Sequence, residues 1–175
     1  MLDVDGVLTD GGLYFDESRE MKRFHARDGV GIQLAKAGGW RVLFLSARHS
    51  PAARRRAEEL GAEWAMGVPA KEMFLDTWLQ EKKVAWSDLA FVGDDLQDLA
   101  PMRRAGWPIA VLDAAKEVRD AARYVTRVPG GQGAVRDAVE WLLDQQGARE
   151  RAIQTFLERR DGFAVGKEER GGGTP

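Results

Sequence analysis

The sequence predicts an α/β fold in which a parallel sheet is flanked by helices. Short apolar runs, typical of buried strands, alternate with longer amphipathic segments. Turn or acidic residues follow these runs, as expected where strands end at a ligand-binding edge. A length of 175 residues with 44% hydrophobic content suits one domain with a substantial core. Strand and helix alternation of this kind indicates βαβ units in a doubly wound arrangement.

The individual elements follow from local patterns. Apolar runs predict buried strands at 41–45, 89–92 and 108–112. Amphipathic periodicity predicts helices at 28–38, 51–60, 70–82, 96–105, 115–122 and 134–146. The clearest start belongs to the helix at 51–60, because Ser50 supplies an N-cap and Pro51 occupies the first helical position.

Two segments depart from the alternation. Residues 13–25 predict a β-hairpin between the first strand and the first helix, which we expect to lie as a flap beside the site. Residues 148–175 begin with a helical pattern and end in "GGGTP", so a helix with a flexible tail is expected after a domain of residues 1–147. Only two residues precede Asp3, fewer than a full strand, which leaves open a truncated or misassigned start and a weakened first strand.

Composition argues against several classes of function. The net charge is −2, from 26 basic and 28 acidic residues, which does not favour nucleic acid or an anionic membrane surface. Cysteine is absent, which excludes disulfides and thiolate-bound zinc. No apolar run approaches the roughly 20 residues of a membrane span, and no signal segment opens the chain. We therefore expect a soluble, cytoplasmic globular protein.

Acidic and hydroxyl side chains follow three predicted strands. Asp3 and Asp5 come after the first apolar residues, Ser46 after the run at 41–45, and Asp94 after the run at 89–92. Carboxyl ends of parallel strands share one edge, so these groups should converge. Residues i and i+2 of an extended chain point the same way, so Asp3 and Asp5 could flank one reacting atom. Gathered carboxylates demand a cation, and Mg²⁺ with oxygen ligands fits, while Lys71 could offset phosphate charge.

Four stretches then carry a family resemblance: "DVDGVLTDGG", "LSAR", Lys71 and "VGDDLQD". They resemble the four motifs of haloacid dehalogenase-type phosphatases. Their order and spacing resemble the capless branch that includes 3-deoxy-D-manno-octulosonate 8-phosphate (KDO 8-phosphate) phosphatases, and the similarity covers residues 2–146. The resemblance implies a Rossmann-like core with a β-hairpin flap in place of a cap domain. It also implies Mg²⁺ as cofactor and a homotetramer in which a neighbour completes the entrance.

The resemblance implies a catalytic role for four residues. Asp3 would be the nucleophile that forms an aspartyl-phosphate. Asp5 would be the general acid for the leaving sugar oxygen and then the base for the hydrolytic water. Ser46 would hydrogen-bond the phosphoryl group, and Lys71 would bridge that group to Asp3.

The same resemblance assigns metal and substrate contacts. Mg²⁺ would lie on the Asp3 carboxylate, the Asp5 backbone carbonyl and Asp94, supported by Asp95 or Asp98. Substrate contacts would come from the loop before the first helix, from two arginines suited to anions and from three residues of the site itself. These candidates are His25, Ala26, Arg27, Asp28, Gly29, Arg48, Arg56, Asp5, Lys71 and Asp94.

Several alternatives stay open at this point. Ala47 stands where the family usually has glycine, and Gln33 where some members carry arginine. Gln33 leaves a nonulosonate (sialic-acid-type) 9-phosphate as a second substrate hypothesis. The run Arg54–Arg56 is also typical of a solvated face. Two further hypotheses are not catalytic. A phospho-accepting receiver domain would place its acidic residue after a middle strand. A catalytically silent binding scaffold would not need every motif.

Overall fold

A computed structural model describes the backbone of residues 1–16 and 19–168, and side chains for the same residues except 19 and 160–168. The tail expected at the end of the chain lies, from residue 169 on, outside the described residues. The division into a domain of residues 1–147 and a C-terminal segment stays a prediction.

The described strands form a hairpin and one larger parallel sheet. In chain order the strands are β1 (Tyr14–Asp16), β2 (Arg19–Met21), β3 (Leu43–Ser46), β4 (Glu63–Met66), β5 (Ala90–Gly93), β6 (Trp107–Ala110) and β7 (Tyr124–Val125). β1 and β2 pair antiparallel. β3 pairs with β4, and β5 with β6 and β6 with β7, all in parallel.

Leu2 joins the two parallel groups into one sheet. It forms parallel bridges to Phe44 on one side and to Val92 on the other. Its N–H donates to Leu43 O and its carbonyl accepts from Leu45 N, both at 2.9 Å. The first residues of the chain therefore lie in the middle of the sheet, between β3 and β5.

The helices lie close to their predicted positions. They are α1 (Ala26–Ala37), α2 (Pro51–Leu60), α3 (Lys71–Lys82), α4 (Leu99–Arg104), α5 (Lys116–Ala121), α6 (Ala134–Gln145) and α7 (Arg149–Glu168). Ser50 caps α2 by accepting a bond from Ala53 N at 3.2 Å, as its sequence predicts. The single helix expected at 96–105 is wrong, because the chain first makes a 3₁₀ turn at Leu96–Asp98.

The helices pack in two groups around buried strand residues. α1 packs against α6 and α7, while α4 packs against α3 and α5. Phe44, Leu45 and Phe91 are fully buried in the core between these layers. The result is an α/β structure in which the carboxyl ends of the central strands carry the polar side chains that the sequence singled out. Within the described part of the chain, no helix is long and apolar enough to cross a bilayer.

Candidate active site

Asp3 emerges at the centre of the sheet edge. Its N–H donates to Val92 O at 3.0 Å, so it leaves the sheet beside β5. The Lys71 ammonium donates to Asp3 Oδ1 and to Asp98 Oδ1, both at 2.6 Å. All three side chains are at most 2% exposed. Lys71 is the first residue of α3 and Asp98 ends the 3₁₀ turn, so three separate elements meet at one ammonium.

Asp94 completes a cluster of three carboxylates. Asp3, Asp94 and Asp98 each offer an oxygen, and these oxygens lie within 4.8 Å of one another. Burial, together with the charges of Asp3 and Asp98, raises the pKa of Asp94 to about 8. Burial also raises the pKa of Asp3, to about 6, against the opposing charge of Lys71. Burial lowers the pKa of Lys71, but the charges of Asp3 and Asp98 outweigh it and raise that pKa overall.

The donor set fits a divalent cation. Asp98 has both oxygens engaged, since Lys71 donates to Oδ1 and Asp94 N donates to Oδ2 at 3.0 Å. Asp3 Oδ2 and Asp94 Oδ1 are buried and have no hydrogen-bond partner among the described residues. When ionised, three carboxylates face one ammonium, which leaves two negative charges unbalanced. Two free buried carboxylate oxygens and this charge deficit are what a hard dication such as Mg²⁺ would satisfy.

A turn after Asp3 sets the second acidic residue apart. Leu8 N and Thr9 N both donate to Val4 O, so the chain turns at Asp5 instead of continuing as a strand. The expectation that Asp3 and Asp5 share an extended segment is therefore wrong. Gly6 lies in the turn with φ +92°, and a Cβ there would overlap the Asp94 carboxylate. Glycine thus lets the turn approach the cluster closely.

The turn at Gly130–Gly131 packs against the turn that contains Gly6. Gly131 N donates to Val7 O at 3.0 Å, and Gly130 N donates to Asp113 Oδ1 at 2.9 Å. A Cβ on Gly130 would overlap Gly6 O. The turn at Gly130–Gly131 therefore lies in direct contact with the backbone next to Asp5.

Asp5 points toward the hairpin. The Lys22 ammonium contacts Asp5 Oδ1 and lies 3.1 Å from Glu20 Oε1. Arg48 Nη2 donates to Glu20 Oε1 at 3.0 Å, and Arg48 Nε lies 3.8 Å from Asp5 Oδ2. Burial raises the pKa of Glu20, but bonds from Lys22, Arg48 and Ser50 outweigh it and lower that pKa. The hairpin is thus tied to the sheet edge by charged groups.

Ser46 ends β3 beside this network. Its side chain is buried, and its Oγ accepts from Arg48 N at 3.1 Å. The hydroxyl proton has no acceptor among the described residues, so it is available to an anion. Ala47 is unstrained where the family usually has glycine, since Lys83 is the one non-glycine residue with positive φ in the described part of the chain.

The loop before α1 contains residues with different surroundings. His25 caps α1 by accepting from Arg27 N at 3.3 Å, and Ala26 and Arg27 are exposed. Asp28 is buried, and its Oδ1 accepts from Arg136 N at 3.0 Å in the first turn of α6. Burial raises the pKa of Asp28, against the N–H groups that it faces. Asp28 therefore caps α6, which has no side-chain cap of its own.

The remaining candidates lie around this centre in different ways. Arg56 packs over Gly29, whose Cβ position would be 2.6 Å from Arg56 Nη2, so the two lie together. Gln33 donates to Leu60 O at 3.1 Å. Asp95 is exposed, and its side chain accepts a hydrogen bond from Leu96 N at 2.7 Å, so it caps the 3₁₀ turn. Only Asp98 of these two acids contacts the Lys71 ammonium.

A parallel α/β sheet with this carboxylate and lysine cluster at its carboxyl edge defines a hydrolase of the haloacid dehalogenase class. A family model described as haloacid dehalogenase-like hydrolase matches residues 69–137, which include Lys71, Asp94 and Asp98. The 3-deoxy-D-manno-octulosonate 8-phosphate phosphatase KdsC of Haemophilus influenzae is 39% identical over 147 residues, which cover 83% of this chain and 82% of that protein. The chain belongs to this family of KDO 8-phosphate phosphatases.

Solved structures agree with this assignment. The Moraxella catarrhalis KDO 8-phosphate phosphatase, in complex with magnesium, phosphate and KDO, matches with a TM-score of 0.84 and 35% identity over 89% of this chain and 90% of that chain. The cobalt-bound enzyme of Haemophilus influenzae matches with a TM-score of 0.83 and 38% identity over 89% and 94% of the two chains. The fold class expected from the sequence, an α/β core of this superfamily, is confirmed at that level.

Three residues at the site were not singled out by the sequence. Lys22 contacts Asp5 from the hairpin, Glu20 contacts Lys22, and Asp113 accepts a hydrogen bond from Gly130 beside the site turn. A signal for the first two was present: residues i and i+2 of a strand share a face, and both are charged. Asp113 follows β6 at the same sheet edge, which is the position where ligand-binding residues collect.

Proposed function

We propose that this protein is a Mg²⁺-dependent phosphatase that hydrolyses KDO 8-phosphate to KDO and phosphate. The observation that carries the proposal is Lys71, buried between Asp3 and Asp98 beside Asp94 at the sheet edge. A nucleophilic carboxylate with a neighbouring ammonium and free acidic oxygens is suited to phosphoryl transfer. Homology to enzymes that act on this substrate supports the choice of sugar acid.

The proposed reaction has two steps. Asp3 attacks phosphorus, the ester P–O bond breaks, and Asp5 gives a proton to the leaving sugar oxygen. Water then attacks the aspartyl-phosphate, Asp5 takes the proton of that water, and the bond between phosphorus and Asp3 breaks. Ser46 donates its hydroxyl proton to the phosphoryl group, and Lys71 holds Asp3 in place and offsets phosphate charge.

Asp3 and Asp94, with the backbone carbonyl of Asp5, would hold Mg²⁺. When bound, the ion supplies positive charge against the phosphoryl oxygens and fixes their direction relative to Asp3. Asp98 has both oxygens engaged by protein donors, so it supports Lys71 and Asp94 instead of serving as a ligand.

For the sugar acid, Arg48 and Arg56 are the proposed partners of anionic groups, and the segment from His25 to Gly29 forms the adjoining wall. Arg48 already lies at Asp5 and Glu20, and Arg56 lies over Gly29. Asp28 acts in this proposal through its cap on α6, which fixes the wall, and not through a direct substrate contact.

We further propose that the hairpin replaces a cap domain and that four copies assemble to complete the entrance. Four large apolar side chains of the hairpin region are exposed: Leu13, Tyr14, Phe15 and Met21, from 45% to 65%. Exposed apolar groups of this density favour contact with another protein surface. Light scattering on the purified protein would test the tetramer, and a monomer would contradict it.

The function is tested by a phosphate-release screen over phosphorylated sugar acids, with Mg²⁺ or with EDTA. We expect chelator-sensitive turnover that is highest for KDO 8-phosphate. Faster turnover of a nonulosonate 9-phosphate would identify that compound as the preferred substrate instead. Equal turnover of simple hexose phosphates would contradict the sugar-acid specificity. Asp3→Asn should abolish phosphate release, and full activity of that variant would exclude this mechanism.

A further inference from the structure

Lys22 has a fully buried side chain that the two catalytic steps do not use. It follows β2 directly, and its side chain is 0% exposed. The ammonium contacts Asp5 Oδ1 and lies 3.1 Å from Glu20 Oε1. A buried ammonium is costly unless it is paired, so these two carboxylates determine where it lies.

The contacts of Lys22 belong to a closed ring of charges. Glu20 Oε1 also accepts from Arg48 Nη2 at 3.0 Å, and Arg48 Nε lies 3.8 Å from Asp5 Oδ2. Asp5, Lys22, Glu20 and Arg48 therefore alternate in sign around the ring. Two members come from the hairpin and two from the sheet edge, so the hairpin is part of the arrangement that holds Asp5.

The ring distinguishes the two oxygens of Asp5. Oδ1 is engaged by Lys22, whereas Oδ2 is buried and has no hydrogen-bond partner among the described residues. An ammonium on one oxygen fixes the rotation of the carboxylate and leaves the other oxygen without a hydrogen bond from the described part of the chain, with Arg48 Nε 3.8 Å away. General acid–base catalysis needs such a fixed direction for the oxygen that exchanges the proton.

We propose that Lys22 is a positioning residue for Asp5, with Glu20 holding Lys22, so that Asp5 Oδ2 transfers the proton in both steps. This inference rests on the proposed function, because it needs Asp5 as general acid and base. In the first step the proton goes from Asp5 Oδ2 to the leaving oxygen as the ester bond breaks. In the second step the same oxygen takes the proton of the attacking water.

The test compares leaving groups that differ in their need for a proton. p-Nitrophenolate leaves without protonation, whereas the alkoxide of KDO 8-phosphate requires it. Single-turnover kinetics with Mg²⁺ give the rate constant of the first step for each substrate. For Lys22→Met, which keeps the apolar stem, we expect about a tenfold or larger loss with KDO 8-phosphate and no more than about a twofold loss with p-nitrophenyl phosphate.

Turnover after the first step gives a second measure. Release of phosphate from the aspartyl-phosphate needs Asp5 as base, so Lys22→Met should show a burst of p-nitrophenolate followed by slow turnover. Lys22→Arg should restore much of the lost rate. Equal losses with both substrates, or no loss, would overturn the inference. If Lys22→Met does not fold, Glu20→Gln is measured in the same way and should show the same selectivity to a smaller degree.

Two reference variants separate this inference from the proposed function. Asp5→Asn should show the leaving-group selectivity in full, with a loss of roughly 10²–10⁴ on KDO 8-phosphate. If Asp5→Asn shows no leaving-group selectivity, the proposed function fails. If Asp5→Asn shows this selectivity and Lys22→Met does not, only the inference about Lys22 fails. Lys116→Ala removes an exposed lysine that is paired with Asp120, and it should leave both substrates unaffected.

Discussion

Lys71 and Asp3 form a buried ion pair, with Nζ 2.6 Å from Oδ1, and it links the start of α3 to the centre of the sheet. Asp98 accepts from the same ammonium, so the pair is part of a triad of charges. A buried pair of this kind couples catalysis to folding, because removing one partner leaves the others without compensation.

Replacing Lys71 should therefore damage both activity and stability. For Lys71→Met we expect a fall in kcat of about 10²–10³ and a loss of about 3–5 kcal/mol in the free energy of unfolding. Urea unfolding and phosphate release measure the two effects. The matched control is Lys82→Ala at the other end of α3, which removes a partly exposed pair with Glu63 and should cost no more than about 1 kcal/mol. Equal costs for the two variants would contradict the buried triad.

Replacing Asp94 should separate stability from activity. Because folding raises the pKa of Asp94, ionisation of this carboxyl near pH 7 stabilises the unfolded state. Asp94→Asn removes that effect, so the metal-free protein should gain about 1 kcal/mol, or roughly 2–4 °C in Tm. The same variant should lose phosphatase activity and most of the stabilisation by Mg²⁺. Thermal unfolding with EDTA and with Mg²⁺ measures this. A metal-free Tm lower than that of the unchanged protein would show that folding does not raise the pKa of Asp94 as described.

The cluster also predicts the pH dependence of the metal-free protein. The pKa of Asp94 is raised from an ordinary value of 3.8 to about 8. Between these two values the folded state holds more protons than the unfolded state, so stability should fall as pH rises from 4 to 8. Above that range the slope from this group disappears. Asp3, with its pKa raised to about 6, contributes in the same direction at lower pH.

Mg²⁺ should reverse this trend, since it competes with protons for the same oxygens. The rise in Tm on adding Mg²⁺ is therefore expected to be larger at pH 8 than at pH 6, as measured by calorimetry at both values. Asp94→Asn should show a flatter pH profile without metal. A Mg²⁺ effect that shrinks as pH rises would contradict the cluster as the binding site.

The glycine turn behind Asp5 gives a matched pair of variants. Gly131 and Gly147 have φ of +64° and +60°, so alanine is strained at both positions. A Cβ on Gly131 would overlap Thr9 and Asp10, whereas one on Gly147 meets nothing within 4 Å. Both variants should lose about 1–2 kcal/mol from backbone strain.

Only Gly131→Ala should affect catalysis. Its Cβ displaces the turn that carries Asp5, and a shift of about 1 Å at reacting groups can cost on the order of 10² in rate. Steady-state kinetics of both variants, beside their unfolding curves, make the comparison. Similar activity losses in the two would show that the turn at Gly130–Gly131 does not support the active site.

The sequence predicted those features that depend on local signals. Ser50 and Pro51 begin α2 as expected, since a cap and a first-turn proline act within a few residues. β4 was missed because Glu63–Met66 has no fully buried residue and its apolar run, Trp64–Met66, is only three residues long. β7 was missed because it has only two residues. Neither strand carries the pattern that marks a buried strand.

At the site, motif spacing identified Asp3, Lys71 and Asp94 but not how the hairpin contributes. Lys22 contacts Asp5, and Glu20 contacts Lys22, only once the hairpin has folded back onto the sheet edge. Lys22 and Asp5 are 17 residues apart in the sequence, so no local pattern predicts their contact. The direction of Asp5 was also beyond the sequence, because the turn at Gly6 follows from hydrogen bonds to Val4 O. Residue types predicted the chemistry, and tertiary contacts decided the geometry.

The position of Leu2 has a wider consequence. Backbone hydrogen bonds of Met1, Leu2 and Asp3 join the two halves of the sheet, and Asp3 is the proposed nucleophile. Weakening these backbone hydrogen bonds would move the Asp3 carboxylate away from Lys71 and would also separate β3 from β5. Substitutions that change the backbone at Asp3 would therefore destabilise the sheet as well as alter catalysis. New substrate specificity is more easily gained at the hairpin and at the loop before α1.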